Sequence, residues 1–329
     1  MYFCIEVCYN NEIKLLEIKM IQYKRLVLVI LICISVIFSG CKQIVKDEDI
    51  PENYTIYASF YPVYALASLI INEDIPGISL MQLIQPQDGC LRSYTLSDWD
   101  AYLLSGADAV ILCGNGLESF AGAYTVYEGE GPAQINVTSA LALEVTEDEG
   151  VSEESHLYGA NPWLFMSATG ALSMTESICA NMIALDPKYE SAYLLNLEKA
   201  TERLNKLYDD IIRLMENADR NTPVALMHEG LIYTAKELGL NVCARIDHES
   251  GVTEEEERII EILSELKESK AEVVLIEKKA PDSLTNRLTE NGYRVVLIDT
   301  LSTGNQTFGA DGYFEAIYDN AAKIANALR

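Results

Sequence analysis

Asp186 to Ala218 reads DPKYESAYLLNLEKATERLNKLYDDIIRLMENA, and the architecture turns on this stretch. Pro187 suits the first turn of a helix, with Asp186 as its cap. Tyr193, Leu194, Leu197, Leu204, Tyr208, Ile211, Ile212 and Met215 then recur at helical spacing. A helix of roughly thirty residues is about 45 Å long at 1.5 Å per residue. The apolar stripe is short and lacks strict heptads, which favours a rigid spine between two halves over a coiled coil.

Outward from that spine, short β-rich runs alternate with helical patterns. Before it stand YTIYASFY, ISLMQLIQP, DAVILCGN and AQINVTSA; after it stand TPVALMHEG, LNVCARID, AEVVLIEKK and YRVVLIDT. Helical patterns cover Val63–Ile71, Ser97–Ser105, Trp163–Leu185, Leu231–Leu238, Thr253–Ser269 and Asp282–Asn291. Strands alternating with helices in this way predict parallel sheets with right-handed crossovers. The expected fold is α/β: an N-terminal lobe over 55–185, a linking helix over 186–218 and a C-terminal lobe over 219–329. The acidic run EVTEDEGVSEE, Glu144 to Glu154, reads as a mobile loop leading to Ser155 and His156.

The 329 residues are 49% hydrophobic and 22% charged, as in a globular protein of about two domains. A net charge of −26 argues against a nucleic-acid phosphate surface, which needs basic patches, and suits a solvated extracytoplasmic protein or one that handles cations. Lys24 and Arg25 precede the uncharged apolar run Leu26–Phe38, followed by Ser39-Gly40-Cys41. Those 13 residues are too few to span a bilayer and fit a signal peptide. The segment resembles a bacterial lipobox, with Phe38 where Leu is more usual. The implied organisation is a signal peptide over 1–40 with its true start at Met20, lipidation at Cys41, and a tether over 41–54. An uncleaved anchor is the alternative; either way the chain is exported and held at the extracytoplasmic face of the cell membrane. Cys90, Cys113, Cys179 and Cys243 follow Cys41 at irregular spacings with no CxxC pair. Cys113 and Cys179 sit in apolar runs, as core residues do.

Ligands of open α/β sheets lie beyond the carboxyl ends of the strands. Polar residues at those ends are Asp88-Gly89-Cys90, His228-Glu229, Asp247-His248-Glu249, Glu277 and Asp299, with Asn161 before the helix pattern that starts at Trp163. Each has an ordinary structural reading as a cap or a hydrogen-bonded strand end. Together, thiolate, imidazole and carboxylate are the donors of a divalent transition metal. There is no HExxH and no G-x-S-x-G, so Glu229 or Glu277 as a general base lacks the rest of a hydrolase site.

The chain resembles the zinc- and manganese-binding solute-binding lipoproteins of ABC transporters, the cluster with a rigid helix between two lobes. Ala58-Ser59-Phe60-Tyr61-Pro62 is similar to that family's opening strand and turn, and Thr95-Leu96-Ser97-Asp98 to its TPSD segment. Asn115-Gly116-Leu117-Glu118, Leu185-Asp186-Pro187 and Leu297-Ile298-Asp299 resemble its later motifs. The resemblance runs from about Tyr54 to Arg329. It implies metal capture between lobes, delivery to an ABC permease, a monomer, and no catalysis.

The resemblance also implies the ligand set. The His of the family's Pro-His-x-Tyr segment falls on Cys90, the His of its His-x-Trp segment on Asn161, the third ligand on His228 and the fourth on Asp299. A thiolate suits Zn²⁺ and disfavours Mn²⁺, so zinc is the expected cargo. Asn161 offers only a neutral carbonyl oxygen, and His156, His248 or water could stand in for it. Binding of another metal or of a non-metal solute on the same scaffold stays open, as does a surface adhesion role.

Overall fold

The computed structural model describes residues 54–73, 75–85, 91–120, 131–146, 159–248, 253–302 and 309–329. The expected signal peptide, with Cys41, Cys90 and His156, lies outside these residues.

β-Branched and aromatic runs make β1 (Tyr54–Ala58), β2 (Ile78–Gln82), β3 (Ala109–Leu112) and β4 (Ala133–Asn136), a parallel sheet in the order β2-β1-β3-β4. Helices α1 (Tyr61–Ile70) and α2 (Asp98–Ser105) provide crossovers. Ser97 caps α2 through a reciprocal box with Asp100, as a Ser followed three residues later by a carboxylate allows. After the spine come β7 (Pro223–Leu226), β8 (Asn241–Arg245), β9 (Val273–Glu277) and β10 (Arg294–Ile298), parallel in the order β10-β9-β7-β8. Read from its other edge, this sheet has the same order of first, second, third and fourth strands as the N-terminal one. In both lobes the switch point lies between the first strand and the third. Among the described residues, no helix is long and apolar enough to cross a membrane.

The acidic segment departs from expectation at its start. Glu144–Thr146 forms β5, antiparallel to β6 (Gly159–Asn161), with Val145 opposite Ala160. Cross-strand pairing supplies the order that composition alone did not indicate.

The spine begins with a 3-10 turn at Pro187–Tyr189, continues as α4 (Glu190–Leu214) and ends in a second 3-10 turn at Met215–Asn217. The Asp186 side chain makes no capping hydrogen bond, because Pro187 opens a 3-10 turn and the α-helix starts only at Glu190. Its buried stripe is Tyr193, Asn196, Ala200, Leu204, Leu207 and Ile211, at steps of three and four. Leu194 and Tyr208 face solvent instead. Asn196 Nδ2 donates to Ile70 O at 3.0 Å, satisfying a carbonyl at the end of α1 from the middle of the spine.

Alternation along the C-terminal strands divides two cores. Val224, Leu226, Val273 and Leu275 join the large core that runs through the N-terminal lobe, α3 (Ala168–Leu185), the spine and α8 (Gly309–Ala327). Ala225, Val274 and Ile276 face α6 (Glu256–Glu268) and α7 (Asp282–Glu290) in a smaller one. The lobes therefore share one continuous apolar interior.

Gly170, in the first turn of α3, is a packing requirement. A Cβ there would lie 2.1 Å from Leu164 O and 2.7 Å from Ser167 Oγ, the group that caps the helix through Gly170 N–H. Gly170→Ala is expected to cost about 3 kcal/mol, measured by urea unfolding, because the closest clash is with backbone rather than a movable side chain.

Candidate functional site in the interlobe crevice

The segment 159–169 of the N-terminal lobe is stitched to α5 (Leu231–Leu238) and the residues just before it in the C-terminal lobe. Asn161, at the end of β6, uses both ends of its amide: Nδ2 donates to Glu229 O at 2.7 Å, and Oδ1 accepts from Trp163 N–H at 3.0 Å. Tyr233 Oη donates to Asn161 O at 2.6 Å and accepts from Glu144 N–H at 3.0 Å. Glu237 receives Ala168 N–H and Thr169 N–H at 2.9 and 2.8 Å, placing a carboxylate on the N-terminus of α3. Lys236 pairs with Glu144.

His228 follows β7 at the C-terminal lobe's switch point and is buried. Its ring meets Trp163 edge-to-face, with centroids 4.4 Å apart and planes at 88°. Nδ1 accepts from Gly230 N–H at 3.1 Å, so the neutral ring carries its proton on Nε2. Coordination through Nε2 requires that proton to leave, and a shift to Nδ1 would break the Gly230 bond. Gly230 has no room for a side chain, since a Cβ would lie 2.9 Å from Trp163 Cβ.

Beyond β1 and β3, the N-terminal switch point is organised by Glu118. Its Oε1 accepts from Ser59 Oγ and Cys113 N–H, both at 2.7 Å, and its Oε2 from Gly114 N–H at 2.9 Å. Burial still raises its pKa, and these hydrogen bonds oppose the rise. Burial pushes the Cys113 thiol well up, with Glu118 adding to the effect, and its Sγ donates to Pro162 O at 3.1 Å. Cys113, Cys179 and Cys243 are free thiols. The first two are buried, as their apolar runs indicated.

Asp299 follows β10. Its backbone N–H donates to Asn320 Oδ1 at 2.9 Å, and its carbonyl accepts from Asn320 Nδ2 at 2.7 Å. Oδ1 accepts from Leu301 N–H at 2.8 Å, across a turn in which Leu301 adopts φ 64°. Oδ2 lies 2.7 Å from Lys278 Nζ. Burial first, then the charge of Asp299, pushes the pKa of Tyr61 at the start of α1 up to about 12.

Arg92 was not anticipated. It lies in a 3-10 turn, Leu91–Ser93, and grips Glu229 with two bonds: Nε to Oε1 at 2.8 Å and Nη2 to Oε2 at 2.7 Å. The Glu229 side chain is 3% exposed and that of Arg92 20%. Two signals were present in the sequence. Arg92 is the only Lys or Arg between Thr55 and Leu185. It also stands two residues after Cys90, where the resembled segment carries its Tyr.

Four of the predicted site residues are therefore placed. Asn161 and His228 meet across the crevice through Trp163 and the Glu229-Gly230 backbone. Asp299 lies at the end of β10 with Lys278. His248 belongs to the loop after β8, fully buried, with Nδ1 2.8 Å from Glu254 Oε1 and no hydrogen-bond partner at Nε2. Among the described residues, no three His, Cys, Asp or Glu side chains gather into a metal-holding set. Cys90 and His156 lie outside the described residues.

Residues 56–327 match the family described as "Zinc-uptake complex component A periplasmic". The chain belongs to that family. That description is of a zinc-uptake component. The zinc-binding protein AdcA of Streptococcus pyogenes serotype M1 is 21% identical over 324 residues, 90% of this chain and 60% of AdcA. The chain thus spans about three fifths of that relative's length. Among solved structures, the SBP FpvC from Pseudomonas aeruginosa in complex with Ni²⁺ has a TM-score of 0.71 at 21% identity, over 84% of this chain and 97% of that one. The Zn(II)-bound ZnuA-like domain of Streptococcus pneumoniae AdcA has a TM-score of 0.67 at 18% identity, over 84% and 99%. These structural likenesses are likenesses of fold.

Arg92→Leu leaves a buried carboxylate without its guanidinium, and the expected loss is about 3 kcal/mol in urea unfolding. The double variant with Glu229→Gln is expected to recover part of it. Tyr61 and Tyr233 both have pKa values raised to about 12, chiefly by burial. Since the folded value lies above the unfolded value of 10.0, their stabilisation is complete below pH 10 and is lost as pH climbs toward 12. Unfolding monitored across that window should show stability falling together with the appearance of tyrosinate absorbance.

Proposed function

We propose that this protein captures a divalent transition metal, zinc foremost, outside the cytoplasmic membrane and passes it to an ABC permease while tethered through a lipid on Cys41. The observation that carries the reading is the family match across 56–327, which takes in both lobes and the crevice between them. AdcA of S. pyogenes is named a zinc-binding protein, and the pneumococcal AdcA domain holds Zn(II). The ligands we propose are Cys90, His228 and Asp299, with Asn161, His156, His248 or water completing the set. A thiolate, an imidazole and a carboxylate make a site suited to Zn²⁺ and poorer for Mn²⁺.

A second reading, another metal or a non-metal solute on the same scaffold, draws on the engaged state of the crevice. The amide of Asn161 is committed to Glu229 and Trp163, and a guanidinium occupies the crevice wall. The discriminating measurement is metal content by mass spectrometry after purification under reducing conditions, followed by zinc titration. Wild type is expected to hold one zinc per chain. Cys90→Ser and His228→Ala should each weaken it by about 100-fold or more. Absence of zinc uptake, or uptake indifferent to both substitutions, would turn the search toward other solutes.

A further inference from the structure

We propose that Lys278 is an affinity-setting residue of the crevice, an internal cation that occupies Asp299 and must be displaced when metal binds. The proposal rests on the metal-capture reading. Lys278 is the first residue after β9, and its N–H donates to Ile298 O at 2.7 Å, which fixes its backbone beside the end of β10. Its ammonium lies 2.7 Å from Asp299 Oδ2. Asn320 holds the Asp299 backbone from both sides and Leu301 N–H holds Oδ1, so the carboxylate has little freedom to swing away from the lysine. Metal ligation at Oδ2 therefore competes with the ammonium for the same oxygen.

The chemistry of lysine fits such an exchange. Its charge is a compact point on a flexible stem, unlike the planar fork of arginine. The Lys278 side chain is 28% exposed against 13% for Asp299, so the departing ammonium has a path to water. As a divalent ion arrives, the singly charged group leaves, and Asp299 stays neutralised in both states. The contrast with Arg92 is geometric. That guanidinium makes two bonds to a carboxylate with 3% exposure and joins the lobes, whereas Lys278 and Asp299 each follow directly on neighbouring strands of one lobe. Lys278 thus lowers resting affinity and offers a replacement ligand for Asp299 when metal departs.

The test is zinc affinity of the purified protein, by competition with a chromophoric chelator, for wild type, Lys278→Met and Lys278→Arg. Lys278→Met retains the apolar stem without the charge and should bind zinc about tenfold tighter or more. Lys278→Arg keeps a cation on Asp299 and should bind no tighter than wild type. Thermal unfolding gives an independent readout: without metal, Lys278→Met should melt lower than wild type, and zinc should raise its melting temperature by more. Wild type that binds zinc alongside a Lys278→Met that binds equally or more weakly overturns the role of Lys278 and leaves the metal reading standing. Zinc taken up by Lys278→Met but not by wild type supports the competition in its strongest form. No zinc in any of the three overturns both.

Discussion

The structure depends on the seam where the segment from Asn161 to Thr169 is bonded to Glu229, Tyr233 and Glu237 at the start of the C-terminal lobe. Asn161 is its central stitch, because one short side chain satisfies a carbonyl of the opposite lobe and an N–H of its own. A buried amide with both ends paired resists shear, since a displacement would strand polar groups away from water. Trp163 fills the space that Gly230 leaves and sets the ring of His228 at right angles to its own. The position of the imidazole is thus a consequence of packing at the seam as much as of the strand that precedes it.

The architecture was legible because it rests on local periodicity. Eight apolar runs became eight strands of two parallel sheets, and the Asp186–Ala218 stretch became the spine. Periodicity could not identify the inward face without the three-dimensional partners. Leu194 and Tyr208 belong to the apolar count but not to the buried stripe, which takes in Asn196 because Ile70 O requires a donor. The strand at Glu144–Thr146 was hidden for a related reason: its order comes from pairing with Gly159–Asn161, at a distance along the chain.

The crevice was legible in its positions and less so in its bonding. Strand ends and switch points indicated where His228 and Asp299 would lie, because topology dictates that. They could not indicate that each neighbourhood already holds a cation. Arg92 meets Glu229 from 137 residues away, and Lys278 meets Asp299 from just past the end of the adjacent strand. In a chain of net charge −26, two of the sparse cations have been placed on carboxylates at the crevice. Coulomb attraction among partly buried groups favours such pairing, and on the proposed capture role the Lys278–Asp299 pair must be undone before a metal uses that acid.

How a solute enters follows from where the apolar core runs. One continuous interior includes residues of both sheets, α3, the spine and α8, so a wide hinge opening would expose surface that stabilises the fold at roughly 25 cal/mol per Å². Tyr313 reinforces the closure, its hydroxyl donating to Phe165 O at 2.8 Å from α8 into the 3-10 turn before α3. On the capture role proposed above, exchange would be local to the crevice rather than by parting of the lobes. The groups suited to that exchange are those with single bonds and a path to water. Lys278 meets both conditions, while the doubly bonded Arg92–Glu229 pair and the Asn161 stitch meet neither, and so they hold the walls in place as the contents change.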